Sequence, residues 1–356
     1  MRELLEEMVS KGASDLHLVA GLPPQYRVDG AMQTSDHPVL TGDDVMRLAY
    51  SILNEEQKKR YENEKELDLS FGVQGISRFR ANCYQQRGVV SMAIRQIPYE
   101  ILSFKELGLP PIVRKLIERQ QGLILVTGPT GSGKSTTLAT MVDTLNTARR
   151  GHIITIEDPI EFVHQHKNCV INQREVKADT HSFGDALKYV LRQDPDIILI
   201  GEMRDRETIA AALTIAETGH LALATLHTNS TYETINRIID VFPASQQNQI
   251  RSQLSFCLAG VITQQLIPRQ RGRGRQLGLE IMVCTPAIKA MIRDDKVHQV
   301  YGLMQAGQKY GMQTMNQSLY QSVANKWISV DEALARSTDP AELRQMIGEP
   351  VGVKTR

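Results

Sequence analysis

The chain is poor in cysteine. Four residues, Cys83, Cys169, Cys257 and Cys284, are scattered over 356 positions and form no C-x-x-C pair. That argues against a zinc knuckle and, in a chain of this length, against a disulfide framework; buried reduced thiols are the expectation. Long apolar runs are also lacking, and none approaches the ~18 residues needed to span a bilayer. The opening Met1-Arg-Glu-Leu-Leu-Glu-Glu is acidic and amphipathic, unlike the apolar stretch of a signal peptide. A cytoplasmic chain with no transmembrane segment is therefore expected, with any membrane attachment made through partners. An excess of one charge is missing too: 41 Lys and Arg against 40 Asp and Glu leave a net charge of +1. No global basicity argues for nucleic acid. There is no internal repeat, no long low-complexity tract and no H-E-x-x-H metal motif.

What is present is an ordinary globular composition, 41% hydrophobic and 23% charged, in a chain long enough for two domains. Residues 1–97 read as a small α+β domain. Leu4, Leu5, Met8 and Val9 have helical spacing, and Asp15-Leu-His-Leu-Val alternates as a strand does. Tyr26-Arg-Val-Asp29-Gly30 ends a strand in a hairpin signal. A helix led by Thr41-Gly-Asp-Asp44 and a solvated helical stretch over 55–66 follow, and then strand-like segments over 67–73, 77–85 and 89–97. Pro98, Pro110 and Pro111 punctuate a linker over 98–112. Residues 113–284 alternate short apolar strands, beginning at Leu123, His152, Asp196 and Leu221, with helical patterns. That pattern predicts an α/β fold, a mainly parallel sheet with helices on both faces. Residues 285–356 read as a helical end, with a capping box at Ser329-Val-Asp-Glu332 and a helix start at Asp339-Pro340.

The strongest signal is Gly128-Pro129-Thr130-Gly131-Ser132-Gly133-Lys134-Ser135, followed by Thr136. It matches G-x-x-x-x-G-K-[ST] in full and lies between an apolar strand and a helix, where a phosphate loop works. Glycines let backbone N–H groups curl around phosphate, and the helix N-terminus adds partial positive charge. Lys134 is expected to reach the β- and γ-phosphates of ATP, and Ser135 to ligate Mg²⁺. Such a site also needs an acid to hold the metal and a group to orient water. Glu202 follows the apolar Asp196-Ile-Ile-Leu-Ile-Gly201, and Glu157 and Asp158 follow the strand at 152–156. Carboxyl ends of parallel strands are where ligands sit in such sheets. Gly201 separates the strand from its acid, where the common pattern ends directly in Asp.

Thr218-Gly-His220-Leu-Ala-Leu-Ala-Thr225-Leu-His227-Thr228 places a histidine at each end of a strand. His227, at the carboxyl end, is placed to donate to the γ-phosphate; His220 suits a structural role equally well. Arg78, Arg80 and Arg95 lie on strand-like segments of the first domain, and Arg204 and Arg206 follow Glu202. Arginine usually meets transition-state charge at such sites, and Arg204 and Arg206 could be site or interface residues. Arg269-Gln-Arg271-Gly-Arg273-Gly-Arg275 is the one basic cluster, and with no aromatic in it a hairpin loop is the favoured reading.

Together these elements resemble the type II/IV secretion ATPase superfamily, whose four boxes fall here in order at 128–135, 156–161, 191–205 and 218–228. In that superfamily the second acid box does end in Gly-Glu. Ala13-Ser-Asp-Leu-His17 and Ser77-Arg-Phe-Arg80 resemble its PAS-like N-terminal module. The resemblance implies a RecA-like ATPase core behind that module, with Arg78, Arg80 and Arg95 as candidates for reaching the nucleotide. It also implies a homo-hexamer in which each N-terminal domain packs on the next subunit's ATPase domain.

Within the superfamily the chain is similar to the motors that retract type IV pili. It starts at the PAS-like module and lacks the paired C-x-x-C of extension motors, and Gly311-Met-Gln-Thr-Met-Asn-Gln-Ser318 resembles a segment typical of retraction motors. Ala287-Ile-Lys-Ala-Met291 stands where many relatives have Ala-Ile-Arg-Ala-Gly. The implied partners are an inner-membrane platform protein and the pilus machinery, at the cytoplasmic face of the inner membrane, with no direct nucleic acid. A secretion, extension or conjugation ATPase of the same superfamily, and a RecA-type nucleic-acid translocase, are the alternatives.

Overall fold

The computed structural model describes residues 1–28, 30–97, 100–271 and 274–348. Two units divide the chain: Met1–Glu100 with Glu161–Val163, and Ile101–Ile160 with His164–Arg356. The first holds β1 (Asp15–Leu18), β2 (Gln25–Val28), β3 (Ala31–Thr34), β4 (Glu66–Val73), β5 (Ser77–Gln86) and β6 (Val89–Ile97). They form one sheet, ordered β3-β2-β1-β6-β5-β4, in which every pairing is antiparallel. Alternation sorts the side chains of β5: Phe79, Ala81 and Cys83 are buried, while Arg78 is half-buried and Arg80 exposed. The helix Arg2–Ser10 lays Leu4, Leu5 and Met8 on the same core. The helix Gly42–Tyr50 starts in a capping box between Thr41 and Asp44. β2 and β3 pair antiparallel with Val28 opposite Ala31; of the hairpin signal Asp29-Gly30 between them, Asp29 lies outside the described residues.

The segment read as a linker carries two short helices, Phe104–Leu107 and Pro111–Ile117; Pro98 lies outside the described residues. Each helix has a local cause. Ser103 and Glu106 form a capping box, Gly108 closes the first helix in the left-handed region, and Pro111 opens the second at its first turn.

The second unit holds β7 (Gly122–Thr127), β8 (His152–Glu157), β9 (Val170–Glu175), β10 (Ile197–Ile200), β11 (Leu221–Leu226), β12 (Leu258–Pro268) and β13 (Arg275–Val283). The sheet order is β13-β12-β7-β11-β10-β8-β9, parallel throughout except for the β12–β13 hairpin. Every residue of β7, β10 and β11 is buried, as strands covered on both faces require. Along β7, Leu123 and Leu125 enter one core and Ile124 and Val126 the other. Burial of each such aliphatic side chain contributes about 1.5–3 kcal/mol. The basic cluster falls on the β12–β13 connection, with Arg271 and Gly274 flanking two residues, Gly272 and Arg273, that lie outside the described set.

Past β13 the chain is helical over Pro286–Arg293, Val300–Gln305, Met315–Ala324, Val330–Arg336 and Pro340–Ile347. Ile267 of β12 packs there with Met315, Leu319, Ile328, Ala333 and Leu343. Among the described residues no helix is long and apolar enough to cross a membrane. All four cysteines are free and buried. Burial pushes the Cys83, Cys257 and Cys284 thiols up to about 12.

Candidate active site

The phosphate loop runs from the end of β7 into the helix Lys134–Ala148. Gly128 has φ of 136°, and a Cβ there would meet the backbone oxygen of Gln264 at 2.3 Å and Ser132 Oγ at 2.7 Å. No other residue fits without moving a strand. Gly133, with φ of 89°, forms the N-cap of the helix. Lys134 is buried, and its Nζ donates to the carbonyls of Gly128 at 2.8 Å and Pro129 at 3.0 Å. The ammonium therefore lies within the curve of the loop, and the hydroxyl-bearing Ser135 and Thr136 follow it on the helix.

Three neighbouring strand ends supply the rest. Glu157 is the last residue of β8, where Thr155 Oγ donates to its Oε1 at 2.6 Å and Gln173 Nε2 donates to the same atom at 3.2 Å. Glu202 follows β10 across Gly201. A Cβ on Gly201 would lie 3.1 Å from the Ile156 carbonyl and 3.2 Å from Glu157 Cα, so the glycine lets the ends of β8 and β10 approach. That is the physical reason for the Gly-Glu order. His227 follows β11, and its Nε2 lies 3.1 Å from Glu202 Oε1. Arg204 Nε meets that same oxygen at 2.6 Å. Burial pushes the Glu202 carboxyl up, but the Arg204 bond and the neighbouring His227 outweigh it, and the group sits below the usual carboxylate range. Glu202 is thus an anion at neutral pH. Thr225 Oγ donates to the Gly201 carbonyl at 2.5 Å and ties β11 to this turn.

The structure separates the remaining candidates. His220 lies at the opposite end of β11 from His227, its Nδ1 3.2 Å from the Ile215 carbonyl. It fastens the end of the helix Arg206–Glu217. Asp205 caps that helix, accepting from Thr208 N at 2.8 Å and leaving Arg206 exposed at its first position. Asp158 lies near Lys177, at 3.9 Å. Arg95 is paired with Asp15 at 2.8 Å, which gives it a structural role. Arg78 and Arg80 share one face of β5 in the first unit.

Three contacts lie outside the sequence motifs. Thr263 of β12 meets Thr127 through their hydroxyls at 2.7 Å, Gln264 donates to the Ser132 carbonyl at 2.7 Å, and Gln173 supports Glu157. The available signal for the first two was Thr263-Gln264-Gln265 interrupting an otherwise apolar strand.

The donor set fits a nucleotide with Mg²⁺. The loop holds a cation inside a cradle that a Cβ at Gly128 would fill. No group of three or more His, Cys, Asp or Glu among the described residues could hold a metal alone. A Mg²⁺ ion here would take phosphate oxygens together with a hydroxyl and a carboxylate, as phosphate-loop enzymes do.

The family model described as type II/IV secretion system protein matches residues 1–335. The chain is 50% identical over 338 residues to the type IV pilus retraction ATPase PilT of Pseudomonas aeruginosa, covering 95% of this chain and 98% of that protein. It is 45% identical to a twitching motility protein of Neisseria gonorrhoeae, over 91% of this chain and 86% of the relative. A crystal structure of the pilus retraction motor PilT with bound ADP superposes with a TM-score of 0.91 at 51% identity, over 96% of this chain and 98% of that one.

Proposed function

The chain belongs to the type II/IV secretion system protein family, and on that footing we propose that it is the ATP-hydrolysing motor of type IV pilus retraction. The ATPase activity rests on one observation above the others. A complete phosphate loop, two carboxylates and a histidine converge at the carboxyl ends of β7, β8, β10 and β11. The pilus role is supported by 50% identity to a retraction ATPase over nearly the full length of both chains.

The residues divide the work. Lys134 exchanges the Gly128 and Pro129 carbonyls for the β- and γ-phosphates. Gly128 and Pro129 set the curve of the loop, the backbone N–H groups of Thr130, Gly131, Ser132, Gly133 and Thr136 wrap the phosphates, and the Thr136 hydroxyl adds a donor. Ser135 and Glu202 hold Mg²⁺, which when bound neutralises developing phosphate charge. Glu157, fixed by Thr155 and Gln173, orients and polarises the attacking water. His227 donates to the γ-phosphate and relays its presence to Glu202. Arg78 and Arg80 add positive charge when the N-terminal domain closes on the site, which couples hydrolysis to motion.

Six subunits form the ring, with each N-terminal domain on the neighbouring ATPase domain. Sequential closure turns a platform protein at the cytoplasmic face of the inner membrane, and pilin leaves the pilus base. The test is a gene deletion complemented by wild type or by Lys134→Ala. The deletion should abolish surface motility and leave cells hyperpiliated, and only wild type should restore both. A deletion strain with normal motility and normal piliation overturns the pilus role. ATPase activity stimulated several-fold by single-stranded DNA favours a translocase instead.

A further inference from the structure

Gln264 is fully buried, and the four boxes of the nucleotide site do not include it. It sits on β12 one residue beyond Thr263, the last residue of that strand paired with β7. The pleat puts it on the face of Ile262, which packs with Leu138 and Met141 of the helix that the phosphate loop opens. Gln264 therefore stands beside the loop itself, at three points. Its backbone oxygen limits Gly128 to glycine, 2.3 Å from any Cβ there. Its Nε2 donates to the Ser132 carbonyl at 2.7 Å. The same nitrogen lies 3.2 Å from where a Cβ of Gly133 would be.

Two polar atoms at this contact are buried and have no hydrogen-bond partner: Gln264 Oε1 and Ser132 Oγ. One is an acceptor and the other carries a donor hydrogen, and they belong to residues already joined by the Nε2 bond. Leaving both unpaired in the interior is unfavourable, so a small movement that pairs them is favoured.

We propose that Gln264 is a positioning residue for nucleotide binding: its carboxamide holds the phosphate loop in its binding curve through the Ser132 carbonyl and gains the Ser132 hydroxyl as a second partner when the loop closes on phosphate. Lys134 meets the phosphate and Gln264 does not; it acts through Ser132. This rests on the ATP reading of the same loop.

The experiment uses the full-length protein, with a fluorescent ATP analogue for affinity and phosphate release for turnover. Gln264→Leu and Gln264→Met remove both amide atoms while keeping bulk, and Ser132→Ala removes only the hydroxyl. Either Gln264 variant should weaken nucleotide affinity ~10-fold or more and keep kcat at saturation within ~3-fold, the signature of lost binding rather than lost chemistry. Ser132→Ala should weaken affinity by a smaller factor, and adding it to Gln264→Leu should cost nothing further. Wild-type affinity in both Gln264 variants overturns the proposal, as does a fall in kcat equal to the loss of affinity. If Gln264→Leu does not fold, Ser132→Ala and Gln264→Met decide on the same criteria. Lys134→Ala separates the two readings: if it turns over ATP like wild type, the ATP site itself is misassigned; if it is inactive while the Gln264 variants bind normally, only the present proposal fails.

Discussion

In the seven-stranded sheet β7, β10 and β11 are buried at every position, whereas β5 of the six-stranded sheet alternates between the buried Phe79 and the more exposed Arg78 and Arg80. A strand covered on both faces has no room along its length for a working side chain. Its chemistry is displaced to its ends, which is where Lys134, Glu157, Glu202 and His227 are found. A strand with one open face can present a row of charges along its length. The difference separates two arrangements: a cluster of side chains fixed at strand ends by sheet geometry, and a face of arginines along an open strand.

The largest effect should come from the fixed cluster. Lys134→Ala removes the ammonium held within the curve of the loop, and ATP turnover should fall to the background of the assay. Wild-type turnover in a folded Lys134→Ala protein would undo the assignment of the loop.

The arginine face comes next. The pair Arg78→Ala and Arg80→Ala should lower kcat by ~10³-fold while sparing ATP binding and hexamer assembly, as loss of a transition-state arginine does. Mixing that double variant with Lys134→Ala subunits should restore part of the activity if the arginines act across a subunit boundary. Normal turnover by the double variant would make the open face of β5 an ordinary solvated surface.

A sharper comparison lies within one strand. His227→Ala, at the carboxyl end of β11, should reduce kcat by roughly 10-fold or more. His220→Ala, at the other end, should leave kcat unchanged and lower stability by about 1 kcal/mol, since it removes hydrogen bonds to the helix end. Equal kinetic losses from both would contradict the division between the two ends of the sheet.

The smallest effect concerns pH. Burial holds the His164 imidazole down at about 4, against its usual 6.5. Its backbone N–H donates at 2.8 Å to Gln173, which in turn supports Glu157. The unfolded chain binds a proton at His164 that the folded chain refuses, so stability is fully present above pH 6.5 and is lost as pH falls toward 4. The thermal midpoint should drop by several °C more in wild type than in His164→Asn across that window, measured by calorimetry.

Much of this was legible from residue order. The phosphate loop, the strands around 123, 152, 196 and 221, and the arginine alternation on β5 each follow from local pattern, because glycine spacing and period-two burial are written in adjacent residues. β9 was not read, and of the β12–β13 hairpin the connecting loop at the basic cluster was read but the strand β12 was not. β9, Val170–Glu175, is mostly polar and lies at the sheet edge, and the helix Ala244–Cys257 runs straight into β12 without a turn signal. The Ser132–Gln264 contact joins residues 132 positions apart. Such a pairing depends on β12 lying beside β7, which no local pattern specifies. From residue order Arg204 could be a site or an interface residue; its pairing with Glu202 emerges only from the turn after β10.

The central claim is that the acids at the carboxyl ends of β8 and β10 hydrolyse ATP held by the loop after β7. Glu202→Gln tests it most directly, since it keeps size and hydrogen bonding and removes only the charge. Titration with a fluorescent ATP analogue and single-turnover phosphate release, made on one preparation beside Glu157→Gln, give binding and chemistry together. The account predicts that Glu202→Gln binds nucleotide within a few-fold of wild type and hydrolyses it at least ~100-fold more slowly, with Glu157→Gln behaving alike. Near-normal kcat in both variants would place the catalytic acids elsewhere and contradict it.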